Sequence, residues 1–223
     1  LNGEYWGIHN IREKINLSYI SNHYGIEKDK INLLELNGEV IDGTNEEYFQ
    51  LINYLNQNNL SDNVKYEYVK SQIDIDSFID YQLLQIFIAN VDWPGNNLKF
   101  WKEHSNAGKW RWILFDTDFG LGWMYGEDYT HNTLRFALEE NGPDWPNPPW
   151  STFILRKLIQ NPTFRQKFIN RYSDLLNTEL SYSRINNILI EVSDKVKHSI
   201  PRHSQKWSQF SFYDWLINLD VIE

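Results

Sequence analysis

The apolar segment from Phe78 to Ala89 is the sequence feature that most constrains the fold. Asp74 and Ser77, which precede or open it, are residue types that cap helices. A helix that is apolar nearly all round lies inside a protein, so we expect this helix to be buried and to end at Asn90. The loop that follows would then be attached to a rigid central element.

Composition narrows the possible functions. The 223 residues are enough for one large domain or two small lobes around a core, and 41% of them are hydrophobic, which favours a globular chain. The net charge of -9 argues against a broad nucleic-acid surface. The absence of Cys excludes disulfides, thiolate metal sites and Cys nucleophiles. No apolar run approaches the ~18 residues of a membrane span.

Strand and helix signals organise the rest of the chain. Ile8 to Glu13 and Ile31 to Leu36 are predicted strands, and the helical pattern resumes at about Thr133. Thr44 and Glu47 have the spacing of a capping box. The helix that they open would bury Phe49, Ile52 and Leu55. Two further strands, at 98–102 and 109–115, form a predicted hairpin directly after the loop that begins at Asn90.

Polar residues on both sides of this hairpin carry the chemistry. Asp92 lies five residues before Asn97, and Asp116 and Asp118 follow the second strand. If the hairpin folds back on the helix end, the three carboxylates converge and need a cation to offset their repulsion. Oxygen-rich clusters suit Mg²⁺, Mn²⁺ or Ca²⁺. We therefore expect a divalent cation at this place.

Protein kinases bring a base, an Asn and an Asp together in this order. Asp92 would orient or deprotonate an acceptor hydroxyl, Asn97 would offer a neutral oxygen to the metal, and Asp118 would bridge metal and phosphates. Asp116 would be a second metal ligand or support one. The alternative is structural: Asp92 and Asp116 cap turns, while Asn96 and Asn97 satisfy the loop backbone.

Four stretches closely resemble the CotH family, the spore coat protein H-like kinases. They are N-G-E-Y-W-G at 2–7, R-E at 12–13, N-V-D-W-P-G-N-N at 90–97 and K-W-R-W-I-L-F-D-T-D at 109–118. The resemblance implies an α+β, divergent protein-kinase-like fold. It also implies transfer of phosphate from ATP to protein Ser residues with Mg²⁺ or Mn²⁺, by bacterial proteins that are secreted or associated with the coat.

The same resemblance assigns roles to individual residues. Asp92 matches the catalytic Asp, and the metal-side residues are Asn97, Asp116 and Asp118. Trp112, or its neighbour Trp110, would support the nucleotide pocket. Separately from the resemblance, Glu13 is a candidate for the nucleotide side, with a surface ion pair as the alternative.

The domain organisation follows from the family as well. We expect a single kinase-like domain over 1–223 that is truncated at its N-terminus. Residues 1–60 would be the remnant of a small β-containing lobe, and 61–223 a larger helical catalytic lobe. The phosphate-clamping Lys of the family would precede Leu1, no Gly-rich phosphate loop is present, and Lys14 has the position of a solvated strand end. This stretch alone is therefore expected to bind ATP weakly or not at all.

Two other functions remain open from the sequence. The chain could be a non-catalytic module for coat, cell-wall or surface assembly that kept the fold. It could also be a glycoside hydrolase that uses Asp92 and Asp116 as acid and base, which the 16% aromatic content favours. That reaction needs carboxyl groups ~5–9.5 Å apart across a sugar groove. A protein substrate, no nucleic acid and no membrane span are the expected partners of the lead hypothesis.

Overall fold

The computed structural model describes residues 2–121, 131–208 and 211–222. Within these ranges the chain forms ten α-helices and one four-stranded antiparallel sheet, so the predicted α+β class is confirmed. The strands are β1 (Ile31–Glu35), β2 (Glu39–Asp42), β3 (Lys99–Glu103) and β4 (Arg111–Ile113). The helices are α1 (Leu17–Tyr24), α2 (Glu46–Gln57), α3 (Asn63–Gln72), α4 (Ile75–Phe87), α5 (Thr133–Ala137), α6 (Phe153–Leu158), α7 (Pro162–Asn177), α8 (Tyr182–Val196), α9 (Ile200–Trp207) and α10 (Phe212–Ile222).

The chain divides into two compact units. Lys14–Arg171 forms one unit, which contains the sheet and the helices α1 to α6. Leu1–Glu13 and Tyr172–Glu223 together form the other. The predicted division into a lobe before residue 60 and a lobe after it stays a prediction. None of the helices in the described ranges has the length and apolar character to cross a membrane.

The sheet has the strand order β2-β1-β3-β4. The predicted hairpin is its β3–β4 half, in which Phe100 pairs with Trp112. The predicted strand at 31–36 is β1, and it joins the hairpin through pairs such as Leu33 with Trp101. Strand β2 was not predicted because all four of its residues are exposed on the sheet edge, so it lacks the alternating pattern of a half-buried strand.

The helix α4 is buried as its composition predicted. The side chain of Asp74 accepts a hydrogen bond from the Ser77 N–H at 3.2 Å and so caps the helix. Phe78 packs edge-on against Trp112 of β4 at a ring distance of 4.7 Å, and Trp112 stacks on Phe100 at 5.4 Å. Burial of each such ring contributes about 1.5–3 kcal/mol. The sheet and α4 therefore form one core. The loop after α4 starts at the end of a helix that is held rigidly by this packing.

The start of α2 differs from the predicted capping box. The helix begins at Glu46, and the hydroxyl oxygen of Thr44 accepts from the Glu46 N–H at 3.1 Å. Glu47 does not reach back to the helix start, because its carboxylate lies 3.1 Å from the ammonium of Lys102 on β3. A long-range ion pair thus replaces a local cap.

The buried face of α2 also differs from the prediction. Tyr48, Leu51 and Leu55 are buried, whereas Phe49 is 40% exposed. The ring of Tyr48 lies 4.7 Å from that of Phe100, so Tyr48, and not Phe49, packs into the aromatic core. The helix is rotated toward this cluster.

The predicted strand from Ile8 to Glu13 is wrong, because residues 8–13 have no regular structure. A strand must pair its backbone groups, and the Ile8 N–H instead donates to the ring of His203 at 3.0 Å. The carbonyl of Trp6 accepts from the indole N–H of Trp207 at 2.8 Å. In this unit the N-terminal segment therefore lies along α9.

Candidate active site

Two segments meet at the C-terminal end of α4. The Val91 N–H donates to the Phe119 carbonyl at 3.1 Å, and the Leu121 N–H donates to the Ile88 carbonyl at 2.6 Å. At Gly120 an added Cβ would lie only 3.1 Å from the Ile88 carbonyl oxygen, so a small residue permits this approach. The β3–β4 hairpin thus returns the D-x-D-F-G run to the end of α4, as the sequence predicted.

The carboxylate of Asp92 is held by two amides of its own loop. The side-chain nitrogen of Asn96 lies 3.0 Å from Oδ1 and 2.9 Å from Oδ2 of Asp92. The side-chain nitrogen of Asn97 donates to Oδ2 at 2.6 Å. Asp92 is only 7% exposed, and a carboxylate at such a site needs donors to offset its lost hydration. The two amides supply them and fix the orientation of the carboxylate.

The amide of Asn97 has an orientation that follows from its partners. An ionised carboxylate can only accept, so the nitrogen of Asn97 must face Asp92. The same nitrogen lies 3.4 Å from the backbone carbonyl oxygen of Asp116. The amide oxygen of Asn97 is left to face other groups, and such oxygens are ligands for hard cations.

Backbone strain is concentrated in the same place. Four of the seven non-glycine residues with positive φ in the described chain flank these loops: Ala89 at 48°, Asn97 at 49°, Asp116 at 50° and Leu121 at 59°. Asn and Asp tolerate this conformation, whereas for other residues it costs roughly 1–2 kcal/mol. Conformations of this kind cluster at ligand sites, which is an indication of function that is independent of side-chain chemistry.

The predicted gathering of three carboxylates is not seen. No group of three or more His, Cys, Asp or Glu side chains is placed to hold a metal ion within residues 2–121, 131–208 and 211–222. Asp118 is exposed, and hydrogen bonds join Asp92 to Asn97 and Asn97 to the backbone of Asp116. The metal roles of Asn97, Asp116 and Asp118 stay predictions.

The two residues predicted on the nucleotide side lie elsewhere. Trp112 is buried in the core between Phe78 and Phe100. Glu13 is exposed and belongs to the other compact unit. Neither prediction is tested by these positions.

A proline-rich loop, residues 143–149, packs against the loop of Asp92. The Gly95 N–H donates to the Pro146 carbonyl at 2.6 Å. A Cβ on Gly95 would lie 2.5 Å from that oxygen and 2.5 Å from Cδ of Pro148. Asn147, fully buried, anchors the loop by donating to the Phe136 carbonyl at 2.7 Å. The loop of Asp92 is therefore held in place by contacts with the proline-rich loop as well as by the amides of Asn96 and Asn97.

Asn96 is the residue of this site that the sequence did not identify. Its side chain was assigned only to the loop backbone, yet it contacts both oxygens of Asp92. A spacing of four residues inside a loop has no fixed geometry, unlike the same spacing in a helix. The one available signal was its place beside Asn97.

The family model described as CotH kinase protein matches residues 1–222. No match was found among curated proteins or among solved structures.

Proposed function

Because the chain belongs to the CotH kinase protein family, we propose that it is a metal-dependent protein kinase that transfers the γ-phosphate of ATP to Ser hydroxyl groups. The observation that carries this proposal is the hydrogen-bonded unit of Asp92, Asn96 and Asn97 beside the backbone of Asp116. A carboxylate and an amide oxygen are thereby held at one place, as a phosphoryl-transfer site requires.

Asp92 is the base in this proposal. Its Oδ2 accepts from both Asn96 and Asn97, which uses its two lone pairs, whereas within the described residues Oδ1 accepts from Asn96 alone. Oδ1 therefore has a lone pair for the acceptor. It would take the proton of the Ser hydroxyl while the hydroxyl oxygen bonds to the γ-phosphorus and the bond from that phosphorus to ADP breaks.

Asn97, Asp116 and Asp118 are the proposed metal-side residues. Mg²⁺ is usually bound by one or two carboxylates together with substrate phosphates, not by a cage of protein ligands. The amide oxygen of Asn97 and the exposed carboxylate of Asp118 fit that donor set. A bound divalent cation would neutralise charge on the phosphates.

The finer parts of the family resemblance remain part of the same proposal. The fold would be kinase-like, with residues 1–60 as a partial small lobe and 61–223 as the catalytic lobe. Trp112 would support the nucleotide pocket from inside the core, and Glu13 would act on the nucleotide side. A location in the spore coat or outside a bacterial cell, which the family resemblance implies, is part of the proposal.

The test measures label transfer from γ-labelled ATP by the full-length protein, with dephosphorylated casein as an added Ser acceptor. We expect transfer that needs Mg²⁺ or Mn²⁺ and stops with a chelator. Asn97→Gly should raise the Mg²⁺ concentration for half-maximal transfer by about an order of magnitude. Gly is chosen because it tolerates φ 49° and so removes the amide without new strain.

Calorimetry on the same samples separates the alternatives. A scaffold that kept only the fold has no need of ATP, so absence of both binding and transfer would replace the kinase proposal with that function. Phosphate transfer that is unaffected by a chelator would reject the proposed requirement for a divalent cation. The glycoside hydrolase becomes the better explanation only if the protein cleaves glycans and Asp92 and Asp116 are both required.

A further inference from the structure

Two amide side chains are buried where α4 leads into the loop of Asp92. Gln85 is 0% exposed and Asn90 is 1% exposed. Residues of these types are mostly found at protein surfaces, and burial of an amide is costly unless it is hydrogen-bonded. Gln85 lies in the apolar helix α4 and Asn90 lies in the loop directly after it, so both amides need hydrogen-bond partners, and the structure provides them.

Hydrogen bonds connect these amides to Asp92 in a chain. The side-chain nitrogen of Gln85 lies 3.4 Å from the hydroxyl of Tyr81, and its side-chain oxygen accepts from the nitrogen of Asn90 at 2.9 Å. The oxygen of Asn90 then accepts from the backbone N–H of Asp92 at 3.1 Å. Asn90 is thus bonded through both ends of its amide.

We propose that Asn90 and Gln85 are positioning residues, which fix the backbone of Asp92 relative to α4 and thereby aim its carboxylate at the acceptor hydroxyl. This inference rests on the proposed kinase function. Neither residue would touch ATP or the acceptor. Their effect would pass through the Asp92 N–H, at the opposite end of the residue from the amides of Asn96 and Asn97.

The chain of amides suits this task because it is rigid and uncharged. Gln85 lies inside α4, so its side chain starts from a fixed backbone. The Tyr81 hydroxyl is neutral in the physiological range at its ordinary pKa of about 10, and burial raises that pKa further. Without charge, the network can hold Asp92 without competing for the proton that it accepts.

A second buried amide in the same unit supplies a matched control. Asn161 is 0% exposed, its nitrogen donates to the Leu60 carbonyl at 2.8 Å, and its oxygen accepts from the Thr163 N–H at 2.9 Å. Asn161 and Asn90 thus share their burial, and each accepts from the N–H two residues on. They differ in the residue whose N–H they bind, which is Asp92 for Asn90 and Thr163 for Asn161.

The experiment compares Asn90→Ala, Gln85→Leu and Asn161→Ala in the full-length protein. Asn90→Ala should lower kcat for phosphate transfer to casein about 100-fold, because a small misplacement of a reacting group has effects of that order. Its KM for ATP should change less than about twofold, since no ATP contact is lost. Asn90→Ser should recover part of the rate, because its hydroxyl oxygen can still accept from the Asp92 N–H.

Amide hydrogen exchange at Asp92, followed by NMR without nucleotide, gives a readout that needs no activity. Asn90→Ala and Gln85→Leu should both speed exchange of the Asp92 N–H, whereas Asn161→Ala should not. A wild-type protein that transfers no phosphate defeats the kinase proposal, and the exchange rates still decide whether the amides hold Asp92. Unchanged exchange, or an equal loss of kcat in Asn161→Ala, would overturn the positioning role.

Discussion

Asp92→Asn is expected to lower the rate of phosphate transfer about 10³-fold, the range seen when a general base is lost. The substitution keeps the shape of the side chain but removes its capacity to accept a proton. The oxygen of the new amide can still accept from Asn96 and Asn97 where Oδ2 did, so the melting temperature should fall by only a few degrees. Initial rates with γ-labelled ATP and casein, measured beside thermal unfolding, check both statements.

Asp76→Asn is the matched control for this substitution. Asp76 lies in the first turn of the same helix, α4, where its side chain is 76% exposed and pairs with Lys167. A surface pair of this kind is worth about 0–1 kcal/mol, so the variant should transfer phosphate at nearly the wild-type rate. Equal transfer by Asp92→Asn and wild type would end the assignment of Asp92 as the base.

Glu47→Ala is expected to destabilise the protein by about 2–3 kcal/mol. The ammonium of Lys102 lies on the central strand β3 with its side chain only 4% exposed, and Glu47 is its carboxylate partner at 3.1 Å. Removing the partner of a buried charge costs roughly 3–5 kcal/mol, and the cost is smaller here because the Glu47 side chain is 38% exposed and water screens the pair. Part of this is offset, because the other carboxylate oxygen of Glu47 is buried with no hydrogen-bond partner in the described part of the chain. Urea unfolding measures the loss.

Two further variants test whether loss of the ion pair with Lys102 causes the destabilisation. Glu67→Ala removes a partner from the exposed pair of Lys70 and Glu67, which are 2.9 Å apart with side chains 44% and 61% exposed, and should cost under about 1 kcal/mol. Adding Lys102→Met to Glu47→Ala replaces the stranded charge with an apolar stem of similar length and should restore most of the stability. If Glu47→Ala is as mild as Glu67→Ala, the pair at Lys102 is not a determinant of stability.

The elements nearest the site were predictable because their signals are local. The apolar character of α4, the cap at Asp74 and the turn between β3 and β4 each follow from a few adjacent residues. Those elements bring the run from Asp116 to Gly120 back to the end of α4, and the hydrogen bond from Val91 to Phe119 confirms that return. The approximate position of the site is therefore readable from the sequence.

The remaining features depend on contacts between distant residues. Glu47 has the spacing of a local cap, yet it pairs with Lys102 on a strand that the sequence alone does not place beside α2. Ile8 lies in a strand-like pattern, but its N–H bonds to His203, nearly two hundred residues away. The bond between Asn96 and Asp92 depends on a loop conformation, including left-handed φ values, that residue spacing does not determine. Tertiary packing, and not the local sequence, determines these contacts.

The most direct test of the central claim is a crystal structure of the full-length protein with a non-hydrolysable ATP analogue and Mn²⁺, read by the anomalous signal of manganese. We predict a manganese peak between the triphosphate and the loops, about 2.0–2.3 Å from an oxygen of Asp116 or Asp118. The amide oxygen of Asn97 should face it, and Asp92 should lie at the γ-phosphate side. A nucleotide bound elsewhere, or bound beside these loops with no metal near Asn97, Asp116 or Asp118, would contradict the account.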